Sequence, residues 1–146
     1  MKGRKSPFFL CIVVMALSVW PGVTTAQSET SDSFKNGVGI ACENKKPQFS
    51  HDNLFFMFTE NRKFVARLMF DNDALAQSQT LRTDIRPKTI SWLDREGFSN
   101  TRYSLHRETL ELSSFPGKYA CTAMSVENIK DRAVAHLASM LENKKI

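Results

Sequence analysis

Between Thr89 and Met124 hydrophobic and polar positions alternate, the period-2 signature of half-buried strands. Ile90 and Trp92 alternate with Thr89, Ser91 and Leu93; Tyr103 and Leu105 alternate with Arg102, Ser104 and His106; Leu110 and Leu112 flank Glu111. Asp94-Arg95-Glu96-Gly97 breaks the pattern as a turn, and Phe115-Pro116-Gly117-Lys118 breaks it again. The second break predicts a type II turn, with Pro presetting φ and Gly accepting the positive φ of the third position. Beyond it Tyr119, Cys121 and Ala123 share one face, and Ala120, Thr122 and Met124 the other. Leu105, Thr109 and Leu112 also sit at helical spacing, but turns on both sides favour strands. Short strands with close turn signals predict an antiparallel meander.

Upstream, Asn53 to Phe70 reads as a hairpin broken at Glu60-Asn61-Arg62-Lys63, with Asn61 suited to a left-handed turn position. Leu54, Phe56 and Phe58 share one face of its first strand; Phe64, Ala66, Leu68 and Phe70 share one face of its second. Phe55 and Met57 make the first strand apolar on both faces, so it needs cover on both sides, with the C-terminal helix a candidate for one. Asp71-Asn72-Asp73 begins like a calcium loop, but Leu75 occupies the next alternate position and neither the Gly nor the terminal Glu follows. It reads as a turn or a helix cap, with Ala74 to Arg82 a short helix. Pro87 holds Arg86 towards extended geometry.

From Ser125 to Leu141 the period changes. Val126, Ile129, Ala133, Val134, Leu137, Met140 and Leu141 recur at three- and four-residue intervals, which predicts an amphipathic helix. Ser125 is a suitable N-cap, and Glu127 suits the positive end of the helix dipole. Its polar face carries both signs of charge, so it is expected to pack on the sheet rather than lie on a membrane. The fold class is therefore α+β: one small domain, a curved or barrel-like antiparallel sheet of five to seven strands, with a C-terminal helix on one face.

The first 26 residues change what composition means. Lys2, Arg4 and Lys5 precede an apolar run from Phe8 to Trp20, and Thr24-Thr25-Ala26 supplies small residues before a cleavage point. This is the pattern of an export signal, and the run is shorter than the roughly 20 residues that span a bilayer. Cys11 lies within it and leaves with it. Three of the 20 Lys and Arg residues lie in that segment, leaving 17 against 15 Asp and Glu, a net charge of +2. With signs mixed along the chain and no basic stripe interleaved with aromatics, a nucleic-acid partner is not expected. Residues 27–36 read as a polar disordered leader and 37–146 as one exported domain, periplasmic or secreted, with no stable membrane insertion after cleavage.

Two cysteines remain, Cys42 and Cys121, and an even count in an exported chain predicts a disulfide. Closing a loop of about 80 residues is worth about 4–5 kcal/mol in lost chain entropy. The bridge would tie a first strand, Val38 to Glu43, to a late one, Lys118 to Met124.

Candidate chemistry is sparse. His51, His106 and His136 lack metal-ligand spacing, and no nucleophile elbow, phosphate-binding loop or dinucleotide fingerprint is present. Asp94 and Glu96 read as solvated turn residues. No catalytic residue, metal or cofactor is assigned. The most polar spot on the meander is His106-Arg107-Glu108, read either as an exposed turn with local charge pairs or as a small recognition site in which Arg107 binds a carboxylate or phosphate. The layout resembles small exported bacterial β-domains with one disulfide near the domain ends, some of which bind or inhibit other proteins, although no motif matches residue by residue. The expected function is non-enzymatic binding, with an envelope or extracellular protein as partner. The alternatives are a carrier whose Phe/Met-lined cavity holds an apolar ligand, or a hydrolase whose site is assembled from distant residues.

Overall fold

The alternating segments fold as one antiparallel sheet in a computed structural model that describes residues 33–46, 53–95, 100–115 and 117–143. The signal segment, His51, Glu96 and Gly97 lie outside the described residues. The strands are β1 (Val38–Asn44), β2 (Leu54–Phe58), β3 (Phe64–Asp71), β4 (Ala74–Gln77), β5 (Leu81–Arg82), β6 (Asp84–Ile85), β7 (Thr89–Asp94), β8 (Thr101–His106), β9 (Glu111–Ser114) and β10 (Lys118–Ser125). One helix, α1 (Val126–Asn143), follows. Nine strands run in the order β4-β3-β2-β1-β10-β9-β8-β7-β6, and β5 pairs with β3 beside β4. The described residues contain no helix long and apolar enough to cross a membrane.

The predicted α+β architecture is present, with more strands than five to seven because residues 74–85 contribute three short ones. The helix expected from Ala74 to Arg82 is absent; β4 and β5 take its place. Asn72 and Asp73 both adopt positive φ, 48° and 63°. A two-residue turn of that kind folds the chain straight back onto its own strand, and β4 pairs from Asp71↔Ala74 to Leu68↔Gln77. Local turn geometry thus overrides a weak helical propensity. The segment then pairs with β3 through Val65↔Leu81 and, three residues on, with β7 through Asp84↔Ser91. The stretch 81–85 therefore reaches from near one end of the strand order to the other and curls the sheet into a half-barrel, called the barrel below.

Two cores result, one on each face. Inside the curl, Phe56 meets Trp92 at 5.1 Å between ring centroids and Tyr103 at 5.2 Å, while Trp92 and Tyr103 stack at 5.4 Å. Ile40, Phe58, Leu105 and Leu112 complete this interior. On the outer face Ala41, Phe55, Met57 and Ala66 meet Val126, Ile129 and Ala133 of α1. All five residues of β2 are buried, because the helix covers the second apolar face as its composition requires. The Phe/Met cluster is thus divided between two packed cores and does not line a single cavity. Residues 33–36, read from sequence as part of the leader, form a turn that seats Phe34 in the outer core at 1% exposure.

Helix α1 starts where its cap predicts, with the Asn128 amide donating to Ser125 Oγ at 3.2 Å. Val134, counted in the apolar stripe, is half exposed, since the sheet is contacted along the line Val126, Ile129, Ala133 and Leu137. Asp94 is also corrected: it ends β7 paired with Thr101 and is buried, not solvated. At the β9–β10 turn Gly117 does not adopt the positive φ of a type II turn. A side chain is excluded there by the Tyr119 ring, 2.9 Å from where a Cβ would stand. Pro116, the other half of that expectation, lies outside the described residues.

Cys42 and Cys121 sit directly opposite each other in the β1–β10 register and are disulfide-bonded across a sequence separation of 79. The first and last strands are thereby joined. Beside them, Gly39 lets the helix approach: a Cβ at that position would lie 2.5 Å from Ile129 Cβ. Gly39→Ala should lower the unfolding free energy by about 1–3 kcal/mol through overpacking. Combined with Ile129→Gly, which removes both the Cβ and the Cγ2 that the new methyl would meet, it should cost less than the sum of the two single losses, as urea midpoints of the four chains would report. Strict additivity would mean that the two residues do not share this contact.

Candidate functional site

Three turns converge at the end of the barrel where β1 begins: residues 59–63 between β2 and β3, 86–88 between β6 and β7, and 107–110 between β8 and β9. Hydrogen bonds to backbone carbonyls tie the third turn to the second, and tie the first to Thr83 between β5 and β6. The Thr83 amide donates to Lys63 O at 2.9 Å, and its hydroxyl donates to Arg62 O. The Arg107 amide donates to Lys88 O at 2.9 Å, and its Nη1 donates to Pro87 O at 3.2 Å. The mouth is therefore built from fixed turns rather than from independent loops.

Within this rim lies a cavity of about 570 Å³. Inward-facing side chains of the interior core, Val38, Ile40, Phe58, Ile90 and Leu105, form its floor, and Arg62, Arg107, Glu108 and Leu110 stand at its edge. Among the described residues Arg62 and Arg107 pair with no carboxylate. Among the described residues the Arg107 guanidinium is anchored through Nη1, which leaves Nε and Nη2 to a ligand. A guanidinium held in this way presents the planar fork that matches carboxylate or phosphate oxygens.

The sequence-predicted triplet is divided by the structure. Arg107 and Glu108 line the mouth. His106 does not: its Nδ1 accepts the Thr109 amide at 3.3 Å, and its ring lines a separate surface hollow with Thr89 and Glu111. Arg62 is the functional candidate that the sequence reading missed. It is 45 positions from Arg107, and only the curl of the sheet brings the two turns to one cavity. Asn61 was expected to take the left-handed conformation, but Arg62 takes it at φ 58°. The Asn61 amide oxygen is engaged elsewhere, accepting from the Thr59 hydroxyl at 2.8 Å and the Lys63 amide at 2.9 Å.

Two other hollows are less suited to recognition. One, of about 590 Å³, lies between α1 and β3 and contains Arg67, Phe70 and His136; the imidazole tilts over Phe55 and Phe70. The other, about 530 Å³ at the far end of the barrel, includes Lys45, Lys46, Lys118 and the exposed ring of Phe115. No cluster of three or more His, Cys, Asp or Glu suitable for a metal occurs among the described residues.

Glu111 organises that far end. Its carboxylate accepts a hydrogen bond from Lys45 Nζ and lies 4.0 Å from Lys118 Nζ. The Lys45 hydrogen bond, then the Lys45 charge, hold the Glu111 pKa below its ordinary value of 4.5. A depressed folded-state pKa contributes stability that is present above pH 4.5 and is lost as pH falls through the folded value. Glu111→Gln should therefore flatten part of the acid limb of the stability–pH profile and leave its slope above neutrality unchanged. Urea midpoints between pH 2 and 8 check this; an unchanged acid limb would remove the assignment.

No protein-family model matches the chain, and neither curated proteins nor solved structures provide a match, so the functional reading rests on the geometry of the barrel itself.

Proposed function

We propose that the protein is an exported, non-enzymatic binding protein of the bacterial periplasm or extracellular space, which recognises a carboxylate or phosphate group at the Arg62–Arg107 mouth. One observation carries this reading. Two arginines from distant turns line one cavity, and neither is paired with a described carboxylate. A cationic group anchored before the ligand arrives, as Arg107 is through Nη1, binds an anion with less ordering cost.

The Cys42–Cys121 disulfide supports the exported part, since such a bond persists in oxidising compartments. The binding part is supported by what surrounds the arginines. His106 is turned into its own loop and His136 lies against aromatic rings under the helix, so neither stands at the mouth as an acid or base. The site is built to hold an anion.

Native mass spectrometry of the mature protein from its own host's envelope fraction tests the proposal. The expected species is an oxidised chain cleaved after Ala26 that carries an anionic small molecule, or a partner that docks an acidic group. The adduct should be lost in Arg107→Ala. A bare monomer that also fails to bind any phosphate or carboxylate compound at neutral pH and low salt would refute it.

A further inference from the structure

We infer that the mouth takes a single-chain amphiphile, its anionic carboxylate or phosphate head held by Arg62 and Arg107 and its aliphatic tail laid in the apolar cup beneath them. This rests on the anion-recognition reading above and adds the class of ligand.

The cup is the first observation. A simple anion site would be satisfied by polar surface around the two guanidiniums, whereas here the floor is Val38, Ile40, Phe58, Ile90 and Leu105. Its volume of about 570 Å³ lies within the range of small-molecule pockets, roughly 300–1,000 Å³. Ala123, the smallest lining side chain, is exposed and leaves space at the wall formed by β10. Below that level the packed rings of Phe56, Trp92 and Tyr103 fill the interior, so a tail can enter the cup but cannot thread it.

Backbone strain is the second. Four described residues other than glycine have positive φ. Asn72 and Asp73 form the two-residue turn described above, which Asn and Asp tolerate well. The other two, Arg62 at 58° and Leu110 at 53°, both line this cup. A left-handed conformation is unfavourable for side chains such as these and persists only where the surroundings enforce it. Here they do. Thr83 holds the Arg62 carbonyl; the Leu110 amide donates to His106 O, and the Leu110 carbonyl accepts the Cys121 amide, both at 2.9 Å. The strained pair puts one cation at the rim and one branched apolar side chain beside the floor, the two chemistries that an amphiphile needs.

Charge decides the sign of the head. Arg62 and Arg107 outnumber Glu108 among the lining residues, and no other charged side chain lines the cup.

The test is isothermal titration of the mature, oxidised protein with decanoate, decyl phosphate, acetate, inorganic phosphate and decyltrimethylammonium. At least one of the two long-chain anions should bind at one site per chain, at least tenfold tighter than the short anion with the same head, and decyltrimethylammonium should not bind. Arg62→Gly relieves the strained φ, so it should fold at least as well as the parent, yet weaken the long-chain anion about tenfold or more. Ala123→Trp fills the cup and should abolish the chain-length preference while keeping the short anion. Equal affinity for short and long anions would overturn the amphiphile and leave anion recognition standing. Binding of decyltrimethylammonium as tight as decanoate would overturn the role of the arginines. Failure of every anion to bind would overturn both readings together.

Discussion

The pairing of β1 with β10 is the constraint on which the rest of the structure depends. It runs through seven residue pairs from Val38↔Ser125 to Asn44↔Tyr119 and carries the disulfide in its midst. Every other strand pair joins neighbours in sequence, except β3 with β5, which only β4 separates. This one joins the first strand to the last, and its loop-closure entropy is the largest in the fold. A covalent link between the same strands removes much of that cost from the unfolded chain. Once β1 is seated, its inward residues, Ile40 and Cys42, enter the barrel core and Ala41 meets the outer core beneath the helix. Both hydrophobic cores thus share one strand.

That arrangement also determines where function can reside. The interior is occupied by aromatic rings in edge and stacked contacts, a geometry worth more than burial area alone. The outer face of the first strands is occupied by α1. At the two ends of the barrel turns rather than strands meet. At one end three turns are held through backbone carbonyls, one by Thr83 and the other two by each other, and two of the three carry strained residues. A rigid barrel supporting a few turn side chains is a common way of combining a stable scaffold with recognition chemistry.

Much of the fold was legible because strands and helices leave different periods in the chain. The alternation in Thr89–Asp94 and Thr101–His106, the double-sided burial of Leu54–Phe58 and the three- and four-residue spacing after Ser125 all describe faces, and each face has a partner in the structure. The errors fall where local conformation is decided by a few residues. Asn72 and Asp73 turn the chain into β4 instead of starting a helix, and Arg62 rather than Asn61 takes the left-handed position because the Asn61 side chain is already accepting two hydrogen bonds. Such choices depend on hydrogen-bond partners that periodicity does not encode.

By itself the sequence determined the class of the fold, the strands that carry the disulfide, the helix and its cap, and Arg107 as a candidate for recognition. Each of these follows from residues close together in the chain, or from a count so small that only one pairing exists. The tertiary structure alone decided that Arg62 joins Arg107, that His106 leaves the mouth, and that the Phe/Met cluster is divided between two cores. The physical reason is the closing of the sheet through residues 81–85. Which turns meet at an end of a barrel depends on its curl and strand order, and these are properties of long-range pairing that no local pattern records.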